Sequence, residues 1–207
     1  MYTKLQYISQ GTTANEQFDN IYRSLDNGCE WVQLRFKDAA EYELNDLAEK
    51  IRLLCDEYLA TLIINDHVEL ASRIDADGIH LGLNDAKISD ARDILGRDKI
   101  IGGTANTFED VLQRIQEKCD YVGLGPFRFT ETKSNLSPIL GLEGYLNIIE
   151  KMRAKNIAIP IYAIGGIQLD DIENLMNIGI HGIAVSGLIT QQPEIITPLN
   201  EKLYASI

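Results

Sequence analysis

Eight short apolar runs, alternating with longer helical patterns, predict an α/β fold in which residues 1–207 form a single (β/α)8 TIM barrel. Strands that alternate with helices indicate βαβ units and a parallel sheet. Eight such units in 207 residues match the small end of this fold, which begins at roughly 200 residues. The alternative is a doubly wound open sheet. That fold would gather glycines and polar residues near one switch point, whereas here they follow strands along the whole chain.

The individual elements are predicted from the spacing of the apolar residues. Helix 41–58 is the clearest, since Leu44, Leu47, Ile51 and Leu54 fall on one helical face. Further helices are predicted at 107–118, 142–154 and 169–178. The predicted strands are 4–9, 31–35, 61–65, 78–82, 100–104, 121–125, 160–165 and 182–186.

Composition narrows the class of function. A net charge of −12 argues against nucleic acid as a partner, because binding it usually needs a basic face. No uninterrupted apolar run approaches the length of a membrane span, and the amino-terminal residues do not resemble a signal peptide. Cys29, Cys55 and Cys119 are odd in number and widely spaced, which indicates reduced thiols in a cytoplasmic protein. The expected partners are small phosphorylated molecules, and the sequence leaves a homo-oligomer open.

The second predicted strand carries a polar row at the end where a barrel holds its active site. In VQLRFK, alternation directs Gln33, Arg35 and Lys37 toward the barrel mouth and the apolar residues between them, including Phe36, toward the helices. A solvated edge strand is the alternative, but a closed barrel has no edge. An inward amide, guanidinium and ammonium are costly unless a ligand or partner pairs them.

Carboxylates follow the next two strands. The third ends at Asn65 and Asp66, and Asp85 follows the fourth, on which we interpret His80 as a packed core residue. Taken singly, Asp66 fits a helix cap and Asp85 a turn. Neighbouring parallel strands lie about 4.8 Å apart, however, so both carboxylates could share one Mg²⁺, which commonly takes one or two carboxylates together with phosphate oxygens and water. Beside the polar row, they predict a metal–pyrophosphate site.

The fifth and sixth strands lead into segments rich in hydroxyl groups. Thr104 could bind an anion or cap the helix that begins near residue 107, and the sequence favours neither. The segment GPFRFTETKSN, residues 125–135, follows the sixth strand, and we expect Gly123 and Gly125 to let a ligand approach the backbone. Arg128 fits a flexible surface loop. The Thr-x-Thr-Lys core fits an anion site, and its residues are Thr130, Thr132 and Lys133.

The seventh and eighth strands both end in glycine turns, AIGGI and AVSGL. Barrels frequently bind a phosphate between these two loops, through backbone N–H groups and a helix N-terminus. Tight turns need glycine in any case, but a pair of such turns at these two loops favours a phosphate. The residues suited to it are Gly165, Gly166, Ser186 and Gly187.

The motifs of these strand ends are, in chain order, VQLRFK, NDHVELA, HLGLND, GGTANT, GPFRFTETK, AIGGI and VSG. In order and spacing the chain resembles the thiamine-phosphate synthase family over nearly its whole length. The resemblance implies a transferase that joins a pyrimidine methyl diphosphate to a thiazole phosphate and releases pyrophosphate. Such a reaction suits dissociative substitution, in which the protein positions the substrates and neutralises the departing charge.

The resemblance also implies a role for each candidate residue. Those that would hold the pyrimidine and its diphosphate are Gln33, Arg35, Lys37 and Asn65. The Mg²⁺ ligands would be Asp66 and Asp85. Thr104 and Lys133 would reach the pyrophosphate, and the catalytic cations would be Arg35, Lys37 and Lys133. The residues that would hold the thiazole phosphate are Thr130, Thr132, Gly166, Ser186 and Gly187.

Several positions depart from the family pattern. Phe36 stands where Glu is usual, on the side that points away from the site, and Leu83 replaces Gln. Thr104 replaces Ser and keeps its hydroxyl, whereas Gly187 loses the hydroxyl of a common Ser. Asn106 replaces a His that a related thiazole tautomerase uses as its acid–base group, which argues against that activity.

Two further functions are left as alternatives. A phosphosugar isomerase on this fold would need an acid–base pair at the mouth, and none is evident outside the proposed metal site. A non-catalytic binder of thiamine phosphate would tolerate the loss of a metal carboxylate, yet both Asp66 and Asp85 are present.

Overall fold

The computed structural model describes residues 2–37, 39–129 and 138–205, and its strands form a closed parallel barrel in chain order. Each strand pairs with the next along the chain, and the eighth pairs with the first through the register Leu5↔Ile183. The predicted TIM barrel is therefore confirmed and the open sheet is excluded. The assignment of residues 1–207 to one domain stays a prediction.

The bounds of the elements lie close to the predicted ones. The strands are β1 Leu5–Ile8, β2 Trp31–Leu34, β3 Thr61–Asn65, β4 Gly78–Leu81, β5 Ile100–Ala105, β6 Tyr121–Leu124, β7 Ile161–Ile164 and β8 Gly182–Val185. The helices are α1 Ala14–Asp26, α2 Glu41–Glu57, α3 Val68–Arg73, α4 Ile88–Leu95, α5 Phe108–Gln116, α6 Gly141–Ala154, α7 Ile172–Ile178, α8 Gly187–Gln191 and α9 Ile196–Tyr204. No helix in the described part of the chain combines the length and hydrophobicity that a membrane crossing requires.

The main hydrophobic core lies between the barrel and its surrounding helices. Val32 and Leu34 point outward from β2 and are buried there, and Phe36 packs against the same cluster. Leu47 and Ile51 present the apolar face of α2 to it. Strand alternation thus separates an outer apolar row from the inner row that begins with Gln33, as the sequence predicts.

Large aromatic side chains fill the barrel interior at the amino-terminal ends of the strands. The rings of Tyr121 and Tyr162 both lie 5.1 Å from that of Trp31 in edge-to-face geometry, and Tyr2 lies 5.5 Å from Trp31. Trp31, Tyr121 and Tyr162 are almost completely buried. Edge-to-face pairs are a favourable arrangement for aromatic rings. This aromatic floor, made of Tyr2, Trp31, Tyr121 and Tyr162, closes one end of the barrel and leaves polar groups to the other.

Candidate active site

Gln33 and Asn65 meet at the mouth of the barrel, where β2 and β3 end side by side. Gln33 Nε2 donates a hydrogen bond to Asn65 Oδ1 at 2.7 Å, and both side chains are buried. Gln33 Oε1 is buried and has no hydrogen-bond partner among the described residues. Because an unsatisfied buried acceptor is costly, this oxygen marks a position where a ligand N–H group would be bound favourably.

Arg35 and Lys37 continue the polar row beyond the end of β2. The Arg35 N–H donates to Ser9 Oγ at 2.9 Å, and the Arg35 carbonyl accepts from the buried side chain of Gln17 at 3.2 Å. These bonds hold the backbone at the start of the loop. Lys37 Nζ lies 3.3 Å from Asp66 Oδ2, so the ammonium extends over the end of the neighbouring strand.

Asp66 and Asp85 are brought into direct contact, as the spacing of the strands predicts. Burial, together with the adjacent Asp85, raises the pKa of Asp66. Burial acts in the same direction on Asp85, but hydrogen bonds from the Asp66 carboxyl and the Gly82 N–H hold the pKa of Asp85 below its usual range. The opposite shifts arise because the two carboxyls are close enough for the charge of one to affect the titration of the other.

The alternative roles of these two aspartates are resolved differently. α3 has no side-chain cap, and its N-cap residue is His67, so Asp66 does not cap that helix. Asp66 instead adopts a left-handed backbone with φ of 66°, which is uncommon outside glycine and recurs at functional sites. Asp85 does close a turn, since its Oδ2 accepts from the Gly82 N–H at 2.6 Å, and its carboxylate still faces Asp66.

The donor set formed by these aspartates fits Mg²⁺. Two touching carboxylates repel each other when both are ionised, and a divalent cation would relieve that repulsion. Within the described ranges, no group of three or more His, Cys, Asp or Glu side chains could hold a metal ion. Mg²⁺ accepts a site of this kind because water and substrate phosphates complete its octahedral shell.

His80 connects the floor to the mouth, a role that its interpretation as a packed core residue missed. The side chain is buried, but its Nε2 lies 3.0 Å from Thr104 Oγ1 and its Nδ1 lies 3.0 Å from the Tyr121 hydroxyl. Tyr121 Oη also accepts from Gln6 Nε2 at 3.2 Å. Strand alternation was the available signal, because it puts His80 on the same inner side as Asn65 and Thr104.

One of the two possible roles of Thr104 is excluded, and its contact with an anion stays a prediction. The helix α5 is capped by Thr107, whose Oγ1 accepts from the Asp110 N–H at 3.1 Å in a capping box. Thr104 instead ends an inner row of β5 and contacts His80. Its hydroxyl therefore contacts a side chain inside the barrel and does not cap the N-terminus of α5.

Gly123 on β6 and Gly125 just after it are required by the packing of the protein itself. A Cβ atom at Gly123 would lie 3.1 Å from the His80 ring, so this glycine makes room for the histidine. A Cβ atom at Gly125 would lie 2.3 Å from the Ile164 carbonyl oxygen, so this glycine permits close packing of neighbouring backbone. Their expected role in the approach of a ligand stays a prediction.

Asn106 lies just after β5 and has a structural role, because it contacts the backbone just after β6. Its Nδ2 donates to the Gly125 carbonyl, and its backbone N–H donates to Asp110 Oδ2 at 2.9 Å. The side chain thus ties the end of β5 to the end of β6. Three predicted site residues in the segment after β6 lie outside the described residues, namely Thr130, Thr132 and Lys133.

The loop after β7 lies across the mouth from Asn65, because β3 and β7 are four strands apart in a barrel of eight, and the loop after β8 lies next to it. Gly165 and Gly166 have φ of 94° and 71°, a conformation that favours glycine. Ser186 precedes α8 without a side-chain capping bond. Gly187 has open space, since an added Cβ would meet nothing closer than 3.5 Å, so this position does not need glycine for steric reasons.

A comparison with known proteins identifies the family. The family model described as thiamine monophosphate synthase matches residues 5–189. The chain belongs to this family. It is 60% identical over 210 residues to thiamine-phosphate synthase of Flavobacterium johnsoniae, covering 100% of this chain and 99% of that protein. It is 61% identical over 206 residues to thiamine-phosphate synthase of Flavobacterium psychrophilum, covering 98% and 100% respectively.

A solved structure supports the same assignment. Thiamine phosphate pyrophosphorylase from Pyrococcus furiosus superposes with a TM-score of 0.81 at 29% identity, covering 98% of this chain and 94% of that chain. The resemblance read from the motifs is thus confirmed, and the chain is a transferase of thiamine biosynthesis, a thiamine-phosphate synthase. The phosphosugar isomerase alternative is excluded by this membership.

Proposed function

We propose that the chain condenses a pyrimidine methyl diphosphate with a thiazole phosphate, giving thiamine phosphate and pyrophosphate with the help of Mg²⁺. The observation that carries the proposal is the cluster of Lys37, Asp66 and Asp85 beside the buried Gln33–Asn65 pair. At one mouth it offers a cation site, a positive charge and an acceptor that no described residue satisfies. Those are the groups that an aminopyrimidine diphosphate needs.

The pyrimidine would be held by the acceptor oxygen of Gln33. Gln33 Oε1 is buried and unpartnered among the described residues, and the amine of the pyrimidine carries N–H groups to donate. Asn65 holds the other end of the Gln33 amide and so orients the acceptor. Acceptance from the ring amine also favours the electron donation that stabilises a positively charged pyrimidine methylene.

Departure of the diphosphate would be assisted from the adjacent cluster. Asp66 and Asp85 would hold Mg²⁺, which when bound neutralises negative charge on the leaving pyrophosphate. Arg35 and Lys37 lie on the same side of the mouth, and Lys133 is assigned to the same task. Thr104 fits a contact with the pyrophosphate, because when His80 Nε2 donates to its oxygen, the hydroxyl proton is available to a phosphate oxygen.

The bond changes need no proton transfer to or from the protein. The bond between the pyrimidine methylene and the diphosphate oxygen breaks, and its electron pair leaves with pyrophosphate. The lone pair of the thiazole nitrogen then forms the new carbon–nitrogen bond. The protein contributes position and charge, and both ring nitrogens of His80 contact neighbouring side chains in agreement with that division of labour.

The thiazole phosphate would bind across the mouth from the pyrimidine. Gly166 lies after β7, opposite β3, and Ser186 and Gly187 lie after β8, opposite β4, so the two reactants would approach each other over the barrel axis. Thr130 and Thr132 are assigned to the same phosphate. We also propose a cytoplasmic location, which the buried free thiols Cys29, Cys55 and Cys119 support. Assembly into a homo-oligomer stays a prediction.

The test is to incubate the purified chain with both substrates and Mg²⁺, and to detect thiamine phosphate by mass spectrometry. Product with Mg²⁺ and none after chelation is the expected result. An Asp66→Ala variant should bind thiamine phosphate while turning over far more slowly. A wild-type chain that binds thiamine phosphate tightly but makes no product would be a non-catalytic binder, and the proposed reaction would be rejected.

A further inference from the structure

Arg128 makes a set of contacts that a flexible surface loop would not provide. Its Nη2 donates to Asp171 Oδ1 at 2.6 Å, and its Nη1 donates both to the other Asp171 oxygen and to the Gly166 carbonyl, the latter at 2.9 Å. The guanidinium carbon lies 4.7 Å from the centre of the Phe127 ring. Although 44% of the Arg128 side chain is exposed, its donors are directed at the protein.

These contacts orient two consecutive peptide groups. The Arg128 N–H donates to the Gly165 carbonyl at 2.9 Å, and the side chain binds the Gly166 carbonyl. In a planar trans peptide, the N–H points opposite to the carbonyl of the preceding residue. The N–H groups of Gly166 and Ile167 are therefore both directed away from Arg128. Successive N–H groups aimed to one side form a concavity that binds anions.

The glycine turn depends on this external support. Glycine populates positive and negative φ about equally, so the sequence Gly165–Gly166 does not by itself select one orientation of its peptide planes. Two carbonyls held by one arginine remove that freedom. A turn whose amides are already oriented binds an anion without losing entropy at that moment.

Asp171 keeps the guanidinium in place. Its carboxyl is 11% exposed and also accepts from the Gln168 N–H at 2.8 Å. Burial tends to raise the pKa of Asp171, but the hydrogen bonds from Arg128 and Gln168 hold it below its usual range, so the group is a carboxylate at neutral pH. With its charge paired in this way, Arg128 is oriented toward the loop rather than toward a ligand phosphate.

We propose that Arg128 and Asp171 are positioning residues for the thiazole phosphate, which orient the Gly166 and Ile167 amides without touching the ligand. The inference rests on the proposed function, since it assumes that this loop binds that phosphate. It makes the Arg128–Asp171 pair a determinant of affinity for one of the two substrates. The competing account is a direct contact between the guanidinium and the phosphate.

The experiment measures kcat and the KM of each substrate for the wild type, Arg128→Ala, Asp171→Asn and the double variant. Loss of an orienting bond to a charged group should raise the KM of the thiazole phosphate about tenfold. The KM of the pyrimidine diphosphate should change by less than about twofold. Because the two residues act as one unit, the double variant should match the more affected single variant. Arg128→Lys keeps the charge but loses the paired N–H donors of the guanidinium, so its KM for the thiazole phosphate should be intermediate.

Arg92→Ala is the matched control. Arg92 pairs with Asp120 at 2.7 Å and also donates to backbone carbonyls, but at the amino-terminal end of the barrel. Its loss should lower the thermal midpoint without changing the ratio of the two KM values. An unchanged KM for the thiazole phosphate in Arg128→Ala, or equal increases in both KM values, would overturn the proposal. A lower KM in Asp171→Asn would also overturn it, because a released guanidinium would then be binding the phosphate directly.

Calorimetric binding of the thiazole phosphate alone separates this proposal from the proposed reaction. If the wild type makes no thiamine phosphate but binds the thiazole phosphate more tightly than Arg128→Ala, the reaction is rejected and the positioning role stands. Equal binding by both proteins rejects the positioning role, whatever the turnover. If Arg128→Ala does not fold, Arg128→Lys gives the same comparison with a smaller expected difference.

Discussion

The two ends of the barrel interior differ in side-chain chemistry, since one is aromatic and the other is polar. The aromatic floor contains rings in edge-to-face contact, whereas the mouth has touching carboxyls and an amide oxygen without a partner in the described part of the chain. Buried rings lower the free energy of the folded chain. Unsatisfied acceptors and adjacent carboxylates raise it. The amino-terminal ends of the strands therefore contribute stability, and their carboxyl-terminal ends contribute the polar groups for chemistry.

One residue belongs to both ends. The ring of Tyr121 packs in the floor, and its hydroxyl contacts His80, which in turn contacts Thr104 at the mouth. Burial raises the pKa of Tyr121, so the hydroxyl stays protonated and can donate a hydrogen bond. The floor thus supports the mouth through one hydrogen-bonded path as well as by closing the barrel.

The largest effect on stability is expected from Trp31→Ala, which removes the centre of the floor. Loss of a buried tryptophan should lower the free energy of unfolding by about 3–5 kcal/mol, because the rings around it cannot fill the space. Urea denaturation measures this change. Tyr42→Ala, at an aromatic side chain that is 73% exposed on α2, should cost less than about 0.5 kcal/mol. Equal losses in the two variants would contradict the assignment of stability to the floor.

Asp66→Asn should lower activity without lowering stability, which is the reverse of the effect expected for Trp31→Ala. We expect kcat/KM to fall about 100-fold, since the site loses a carboxylate for the cation. The free energy of unfolding should stay the same or rise, because the contact with the Asp85 carboxylate no longer involves two acids. Activity across a Mg²⁺ titration and urea denaturation together measure both quantities. The control is Asp93→Asn on the exposed face of α4, and equal activity in the two variants would reject the metal assignment.

Gln33→Met tests the polar mouth with a smaller expected loss of activity than Asp66→Asn. The substitution keeps the shape of the side chain but removes the acceptor oxygen that is proposed to bind the pyrimidine amine, so the KM of the pyrimidine diphosphate should rise about tenfold. The free energy of unfolding should change by less than about 1 kcal/mol, because the lost bond to Asn65 is offset by removal of the orphan oxygen. Gln113→Met, exposed on α5, is the control. A large loss of stability with normal KM would assign Gln33 to the core instead.

A thiol reagent tests the intact wild type beside the floor, where no change in stability is made. Burial raises the pKa of the Cys29 thiol to about 11, and its Sγ donates to the Trp31 carbonyl at 3.4 Å. At pH 8 only about 0.1% would be thiolate, so alkylation should be about 100-fold slower than in denaturant. Peptide mass spectrometry gives the rate at this site. Rapid labelling of the native wild type would show that the core beside Trp31 opens readily.

The site could be predicted from sequence wherever strand order alone decides proximity. Gln33 and Asn65 end adjacent strands, and Asp66 and Asp85 follow adjacent strands, so their encounters needed only the barrel topology and the period of two. Arg128 and Asp171 are 43 positions apart, and Asp171 lies in a short 3-10 helix just before α7, so their pairing had no such signal. The assignments of Thr130, Thr132 and Lys133 stay predictions.

By itself, the sequence determined the order of the elements, the inner and outer rows of β2, the family and the chemical types at the mouth. Local periodicity and motif spacing are enough for these features, because each depends on residues close in the chain or on neighbouring strands. Only the tertiary structure decided that Gly123 makes room for His80 and that Arg128 holds the Gly166 turn. Such contacts depend on side-chain directions and on the register of closure, which bring together residues that no local period relates.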